Sequence, residues 1–132
     1  MDKSRYDRYV VYVPQKSAPD TPFPFLTLMS SELVPESNIQ VTFNWVTRKF
    51  EMDPEKPLSH AHDYDEMIIN IGTNPDDPED LGGEVVGFPG DEKHTLNKTS
   101  AVYILRNVEH GVAGFNRFDR PYIQMAIKLG GK

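Results

Sequence analysis

The sequence has no cysteine, which excludes disulfides, thiolate metal ligands and a cysteine nucleophile. Any transition metal held by this chain must take nitrogen and oxygen ligands. No 18 apolar residues run together, and Met1-Asp-Lys-Ser-Arg-Tyr6 lacks the apolar centre of a signal peptide. A membrane span is therefore not expected, and a cytoplasmic location is the default. Basic charge is also in short supply, with 14 Lys and Arg against 20 Asp and Glu, net −6, and no clustered cationic face. That argues against nucleic acid or an anionic membrane as partner, because positive charge would supply most of the affinity there. A sustained 3.6-residue apolar period is missing as well, which removes helical bundles.

What is present is short strand-like runs and abundant turn formers. The chain has 132 residues, enough for one domain that buries roughly 65–70% of the surface its unfolded form exposes. Residues 1–38 read as an N-terminal extension with edge strands. Tyr9 to Val13 is a β-branched and aromatic run ending at Pro14, Gln15 to Pro24 is a proline-rich connection, and Phe25 to Met29 is a second short strand. Residues 39–129 read as the barrel core. Val41, Phe43 and Trp45 alternate with Thr42, Asn44 and Thr47, which marks a strand. Pro54 and Pro57 mark a turn before His60. Met67 to Ile71, Glu84 to Phe88, Lys93 to Asn97, Ala101 to Leu105 and Tyr122 to Leu129 supply further strands, with Pro89-Gly90 at the centre of a type II turn. Asn74 to Gly83 reads as a solvated acidic loop whose ligand spacing does not match an EF-hand. Seven to nine short strands at regular intervals make an all-β fold, an antiparallel jelly-roll barrel or sandwich.

The chemistry concentrates in His60-Ala-His62-Asp-Tyr-Asp-Glu66 and in His110. His60 and His62, two apart, project to the same side of a strand. Glu66 shares that parity, but along a continuous strand it would lie about 13 Å beyond His62. Asp63-Tyr64-Asp65 must therefore bend the chain so that Glu66 returns on the next strand. With His110 arriving from elsewhere, three imidazoles and one carboxylate form the ligand set of a mononuclear transition metal, with positions left for water or substrate. Asn44, Asn70 and Gln124 interrupt apolar strands; they either face inward to orient a ligand or satisfy backbone and solvent. Tyr64 reads first as a bend residue, with gating of the barrel mouth as the lesser alternative; Arg106 reads best as an exposed ion pair, with a substrate carboxylate as the alternative partner, and His94 as a surface histidine. Trp45, Phe43 and Met125 read as core.

His60-x-His62-x-x-x-Glu66, followed by Gly72, resembles the first motif of the cupin superfamily, and residues 99–111 resemble its second. Three departures touch turn geometry: Pro54 stands near the motif's leading glycine, Gly72 comes one residue early, and Leu105-Arg-Asn107-Val-Glu-His110 replaces Pro-x-Gly-x-x-His. Asn107 suits the left-handed backbone that the missing glycine would adopt. A fourth departure is Gly114, where an asparagine is usual. The resemblance spans about Ile39 to Leu129. It implies a jelly-roll barrel with His60, His62, Glu66 and His110 as ligands to one divalent transition metal. Iron is expected first, with Mn, Ni, Zn or Cu as alternatives, and the chain is expected to be a homodimer. The activity implied is a metal enzyme acting on a small oxygenated organic molecule, either a dioxygenase or a Lewis-acid isomerase or lyase. The alternative is a non-catalytic small-ligand-binding or sensory module. No catalytic acid or base can be assigned from the sequence.

Overall fold

The computed structural model describes residues 5–17, 24–49 and 58–130. A short 3-10 turn (Asp7–Tyr9) is followed by ten strands: β1 (Gln15–Lys16), β2 (Leu26–Met29), β3 (Ile39–Val46), β4 (Leu58–His60), β5 (Glu66–Ile71), β6 (Asp80–Pro89), β7 (His94–Lys98), β8 (Ser100–Ile104), β9 (His110–Phe118) and β10 (Tyr122–Leu129). The strands form two sheets, one of six strands in the order β1-β2-β3-β10-β5-β8 and one of four in the order β4-β9-β6-β7. Every pairing is antiparallel, and there is no α-helix among the described residues. The expected all-β jelly-roll sandwich is the architecture observed.

Several local expectations are corrected. Tyr9 to Val13 is not a strand: its start lies in the 3-10 turn and Val10, Tyr12 and Val13 are exposed, because no neighbouring strand pairs with it and strand propensity without a partner does not hold a strand. Part of the segment read as a connection, Gln15–Lys16, instead pairs with β2. The turn after β6 is shifted by one residue. Pro89 closes the strand, and Gly90, at φ 64°, takes the first central position. The Glu92 N–H donates to the Pro89 carbonyl at 3.3 Å. A positive φ there matches the twist of the flanking hairpin strands. The turn read at Pro54 and Pro57 lies outside the described residues.

Registered pairs fix which side chains share a face. Val46 pairs with Tyr122, and both join Leu81 and Val85 in the core, packed by Leu96, Val112, Phe115 and Phe118 of the facing sheet. Burial of each such side chain stabilises the fold by about 1.5–3 kcal/mol, and the same burial pushes the Tyr122 phenol up to about 12. Two residues along from Tyr122, Gln124 pairs with both Asn44 and Asn70, and Asn70 pairs with Ser100, so one polar row crosses four strands on the interior face. The next interior row is Thr42, Ala126, Ile68 and Val102. The last brings Lys128 opposite Glu66, which pairs with Ile104.

The other face of these strands points away from the facing sheet. Phe43, Met125, Ile69 and Ala101 form its middle row. Phe43, Trp45 and Met125 are therefore not core residues: Trp45 is 48% exposed, and none of the three is buried. The alternation was legible, but the polar side chains of β3 and β10 turn inward.

Candidate metal centre

β4 and β9 pair so that His60 stands opposite His110. His62 follows β4, the chain bends through Asp63-Tyr64-Asp65, and Glu66 opens β5 on the interior face. The bend required by the spacing of His62 and Glu66 is present, and it is held from several sides. Asp65 accepts from the Tyr103 hydroxyl at 2.7 Å and from the Arg106 N–H at 2.9 Å. These two bonds, the hydroxyl's first, hold the Asp65 carboxyl below the ordinary carboxylate range. The Asp65 carbonyl accepts from the Leu129 N–H at 3.0 Å, and the His62 carbonyl from the Asn107 N–H at 2.7 Å. Arg106 also pairs with Asp63 across the exposed rim. Asn107 has φ 64°, the left-handed conformation its side-chain type tolerates.

This scaffold brings His60, His62, Glu66 and His110 together, with one ligand atom from each and all four atoms within 4.8 Å of one another. Glu66 and His110 are buried, His62 is partly buried and His60 is exposed, so the cluster opens to solvent on the His60 side. Ring centroids lie 4.4 Å apart for His60 and His110, 4.8 Å for His60 and His62, and 5.4 Å for His62 and His110. Desolvation of its ring, reinforced by His110 and then His62, lowers the His60 pKa below the ordinary histidine value. That favours the neutral imidazole a metal requires.

His110 supplies the sharpest test of fit. Its Nδ1 lies 3.0 Å from the Val108 carbonyl, which can only accept, so Nδ1 carries the proton. In the neutral ring Nε2 then presents a lone pair. That Nε2 is buried without a hydrogen-bond partner, although Glu66 Oε1 lies 3.4 Å away and His62 Nε2 stands 3.9 Å from Glu66 Oε2. The Nε2 ring atom and the Glu66 carboxylate face one another at these distances, and a cation held between them would satisfy both. Three nitrogens and one oxygen are a suitable donor set for a first-row divalent metal.

Beyond the four ligands, Tyr64 stacks on His62 with centroids 4.8 Å apart and planes 5° from parallel. Burial and then the Glu66 charge raise its phenol pKa. The Lys128 ammonium sits 4.6 Å over the Tyr64 ring. The sequence reading missed Lys128 and Asp65. Lys128 follows Ile127 at the end of an apolar strand and looks like an exposed terminus, while Asp65 looks like an ordinary turn residue. Asn44, Asn70 and Gln124 do face inward, but two rows along the sheet from Glu66; Asn70 is 2% exposed and its Oδ1 has no partner. His94 is exposed and lies 3.5 Å from Glu92. The acidic loop is exposed from residue 75 to 79, but its end, Asp80 to Gly83, belongs to β6. Among the described residues the four ligand-type side chains form the one group of this kind.

No family model matches the sequence, and no curated protein matches it. Solved structures do. An RmlC-like cupin from Shewanella frigidimarina aligns over 90% of this chain and 86% of its own, with a TM-score of 0.59 and 11% identity. The chain has a cupin fold. An RmlC-like cupin from Methanocaldococcus jannaschii, described as a double-stranded β-helix, gives 0.56 at 16% identity over 89% of both chains. The iron(II) form of HppE gives 0.54 at 14% identity over 89% of this cupin-fold chain and 56% of HppE. At such identities the shared property is the fold. Among the described residues of this cupin-fold chain, no helix is long and apolar enough to cross a membrane.

Proposed function

We propose that this chain is a mononuclear transition-metal enzyme acting on a small oxygenated organic molecule, with His60, His62, Glu66 and His110 as the metal ligands. The observation that carries the reading is the convergence of four ligand atoms within 4.8 Å around the buried, unpartnered Nε2 of His110. Iron is the first expectation, supported by the fold shared with HppE, which was solved with iron(II). Mn, Ni, Zn and Cu suit the same donors. When bound, the metal supplies Lewis acidity and, for iron, a redox couple for oxygen chemistry.

The chain's own residues set the rest. The Val108 carbonyl fixes the His110 tautomer and aims Nε2 into the site. The Asp65 hydrogen bonds hold the bend that positions His62 and Glu66 together. The open side at His60 admits a small molecule, and Tyr64 covers His62. Lys128, in register with Glu66, brings a positive charge to this end of the interior. Among catechols, β-diketones and oxo acids, that charge favours the oxo acids.

Metal analysis of protein purified without chelator tests the reading. About one transition metal per chain is expected, lost in His62→Ala. A metal-free native protein, with the variant unchanged in stability, would sink it. Given metal, catechols, β-diketones and oxo acids assayed with and without oxygen separate oxygenase from Lewis-acid chemistry. Tight ligand binding without turnover would instead assign a binding or sensory module.

A further inference from the structure

Every interior position of β3 short of the core is polar. Gln40, Thr42 and Asn44 share the face of buried Val46, and β10 sets Lys128 beside Gln40 and Gln124 beside Asn44. All five remain partly exposed, whereas Val46 and Tyr122, next along the same two strands, are buried. The space over these strands is therefore open as far as the core. None of the five side chains hydrogen-bonds or ion-pairs with another described residue. The Lys128 ammonium rests against the Tyr64 ring, 4.6 Å from its centroid.

Polar side chains on an interior face are ordinarily tied to backbone or to one another. Here a line of unpaired donors and acceptors runs for four residues, about 13 Å of strand. Its mouth end carries the charge. Lys128 stands in register with Glu66, but that carboxylate is turned to His110 and His62, at 3.4 and 3.9 Å. Acidic residues outnumber basic ones 20 to 14, and among the described residues none lies within ion-pair distance of Lys128. An ammonium without a counter-ion, beside a carboxamide donor, is fitted to an anion arriving from solvent.

We propose that β3 and β10 form a subsite for an acid with a hydroxylated chain: Lys128 and Gln40 take the carboxylate, Thr42 lies along the chain, and Asn44 and Gln124 take a hydroxyl at its far end. The assignment rests on the reading of the adjoining cluster as the reaction centre, and it narrows the oxo acids to hydroxylated ones. A carboxamide both donates and accepts, which suits a hydroxyl and gives no advantage to a second carboxylate. The strand sets the length: about 13 Å, less the reach of the side chains at each end, spans a chain of about six carbons. A plain alkyl chain of that length would strip solvent from Asn44 and Gln124 without replacing its hydrogen bonds.

Two acids of equal size test this. 6-Hydroxyhexanoate and heptanoate differ by a terminal hydroxyl in place of a methyl, and both are titrated calorimetrically into the full chain in EDTA. The hydroxy acid should bind about 3–10-fold more tightly in the native chain. Lys128→Met should weaken both acids alike, by about tenfold or more. Asn44→Leu should reverse the preference, and if that variant does not fold, Gln124→Met carries the same expectation. Equal affinities in the native chain, no binding of either acid at millimolar concentration, or a preference that survives in the folded variant would each overturn the proposal. Metal content is measured in parallel. A native chain that lacks metal and still prefers the hydroxy acid sinks the metal reading and upholds the subsite; a metal-loaded chain that binds both acids alike does the reverse.

Discussion

Replacing His110 by leucine should reverse sign with metal. In the metal-free protein His110 keeps one hydrogen bond, from Nδ1 to the Val108 carbonyl, and buries Nε2 without a partner. An unsatisfied buried polar atom costs about 1–3 kcal/mol, and a typical hydrogen bond contributes about 1 kcal/mol. A leucine of similar volume removes both, so in chelator the variant should be equal to the native chain or more stable by up to about 2 kcal/mol. With metal at a hundred times its dissociation constant the native chain gains about 2.7 kcal/mol. The variant has lost a ligand and should gain little. At roughly 3–5 °C per kcal/mol for a domain of this size, the native melting temperature should rise by about 8–13 °C on metal addition.

Far-ultraviolet circular dichroism melts, first in EDTA and then with anaerobic iron(II) or with manganese, nickel, zinc or copper, read both halves. The reasoning fails if His110→Leu is less stable than the native chain by 2 kcal/mol or more in chelator and no metal moves the native melt. His110 would then be an ordinary core histidine. The same melts on Glu66→Gln check the partner. A neutral amide beside Nε2 can donate to it, so the metal-free protein should be stabilised while metal stabilisation falls.

Other consequences can be measured with the same material. A Cβ on Gly72 would stand 1.9 Å from the Asp80 carbonyl oxygen and 2.8 Å from its carbon; Gly72→Ala must move backbone and should cost about 2–3 kcal/mol, read by urea unfolding. Asp80 is held below the ordinary carboxylate range by the Gly82 N–H and then by Arg120. Its folded pKa is depressed, so its contribution is present above the unfolded value of 3.8 and is lost as pH falls through the folded value. Asp80→Asn should accordingly flatten the acid side of a melting-temperature profile, and an unchanged profile would dismiss the clamp. Asp65→Ala removes the acceptor for Tyr103 and Arg106, and metal affinity by isothermal titration should fall about 10–100-fold with the circular dichroism spectrum retained.

Local spacing made much of the site legible. Histidines two apart share a face, a glutamate four further along cannot reach them without a bend, and Asp-Tyr-Asp is a bend. The strand carrying His110 was not legible. β9 includes Gly111, Gly114, Asn116 and Arg117, and its pairing with β6 shifts register twice, so no clean period of two survives. The restraints on the bend were hidden for a different reason. Tyr103 and Arg106 reach Asp65 from about forty positions away, and no local pattern announces a long-range acceptor. The first strand failed conversely, since Tyr9 to Val13 has the composition of a strand and no neighbour.

The orientation of the sheet could not be read at all, because alternation says which residues share a face and leaves open which face is inside. The ordinary assumption places Phe43, Trp45 and Met125 inward, and the structure does the reverse. The inversion has a physical cost: Asn70 Oδ1 and Ser100 Oγ, opposite one another in the interior, are buried without partners. Two apolar side chains there would avoid that penalty of about 1–3 kcal/mol per group. An interior face that retains such groups, the one that also carries Glu66 on the same strand, is better suited to a polar guest than to serving as a core. If so, Asn70→Leu should stabilise the chain in urea while weakening whatever small molecule co-purifies with it, as seen by native mass spectrometry. A destabilised Asn70→Leu that keeps its full ligand content would mean that the polar row serves the fold alone.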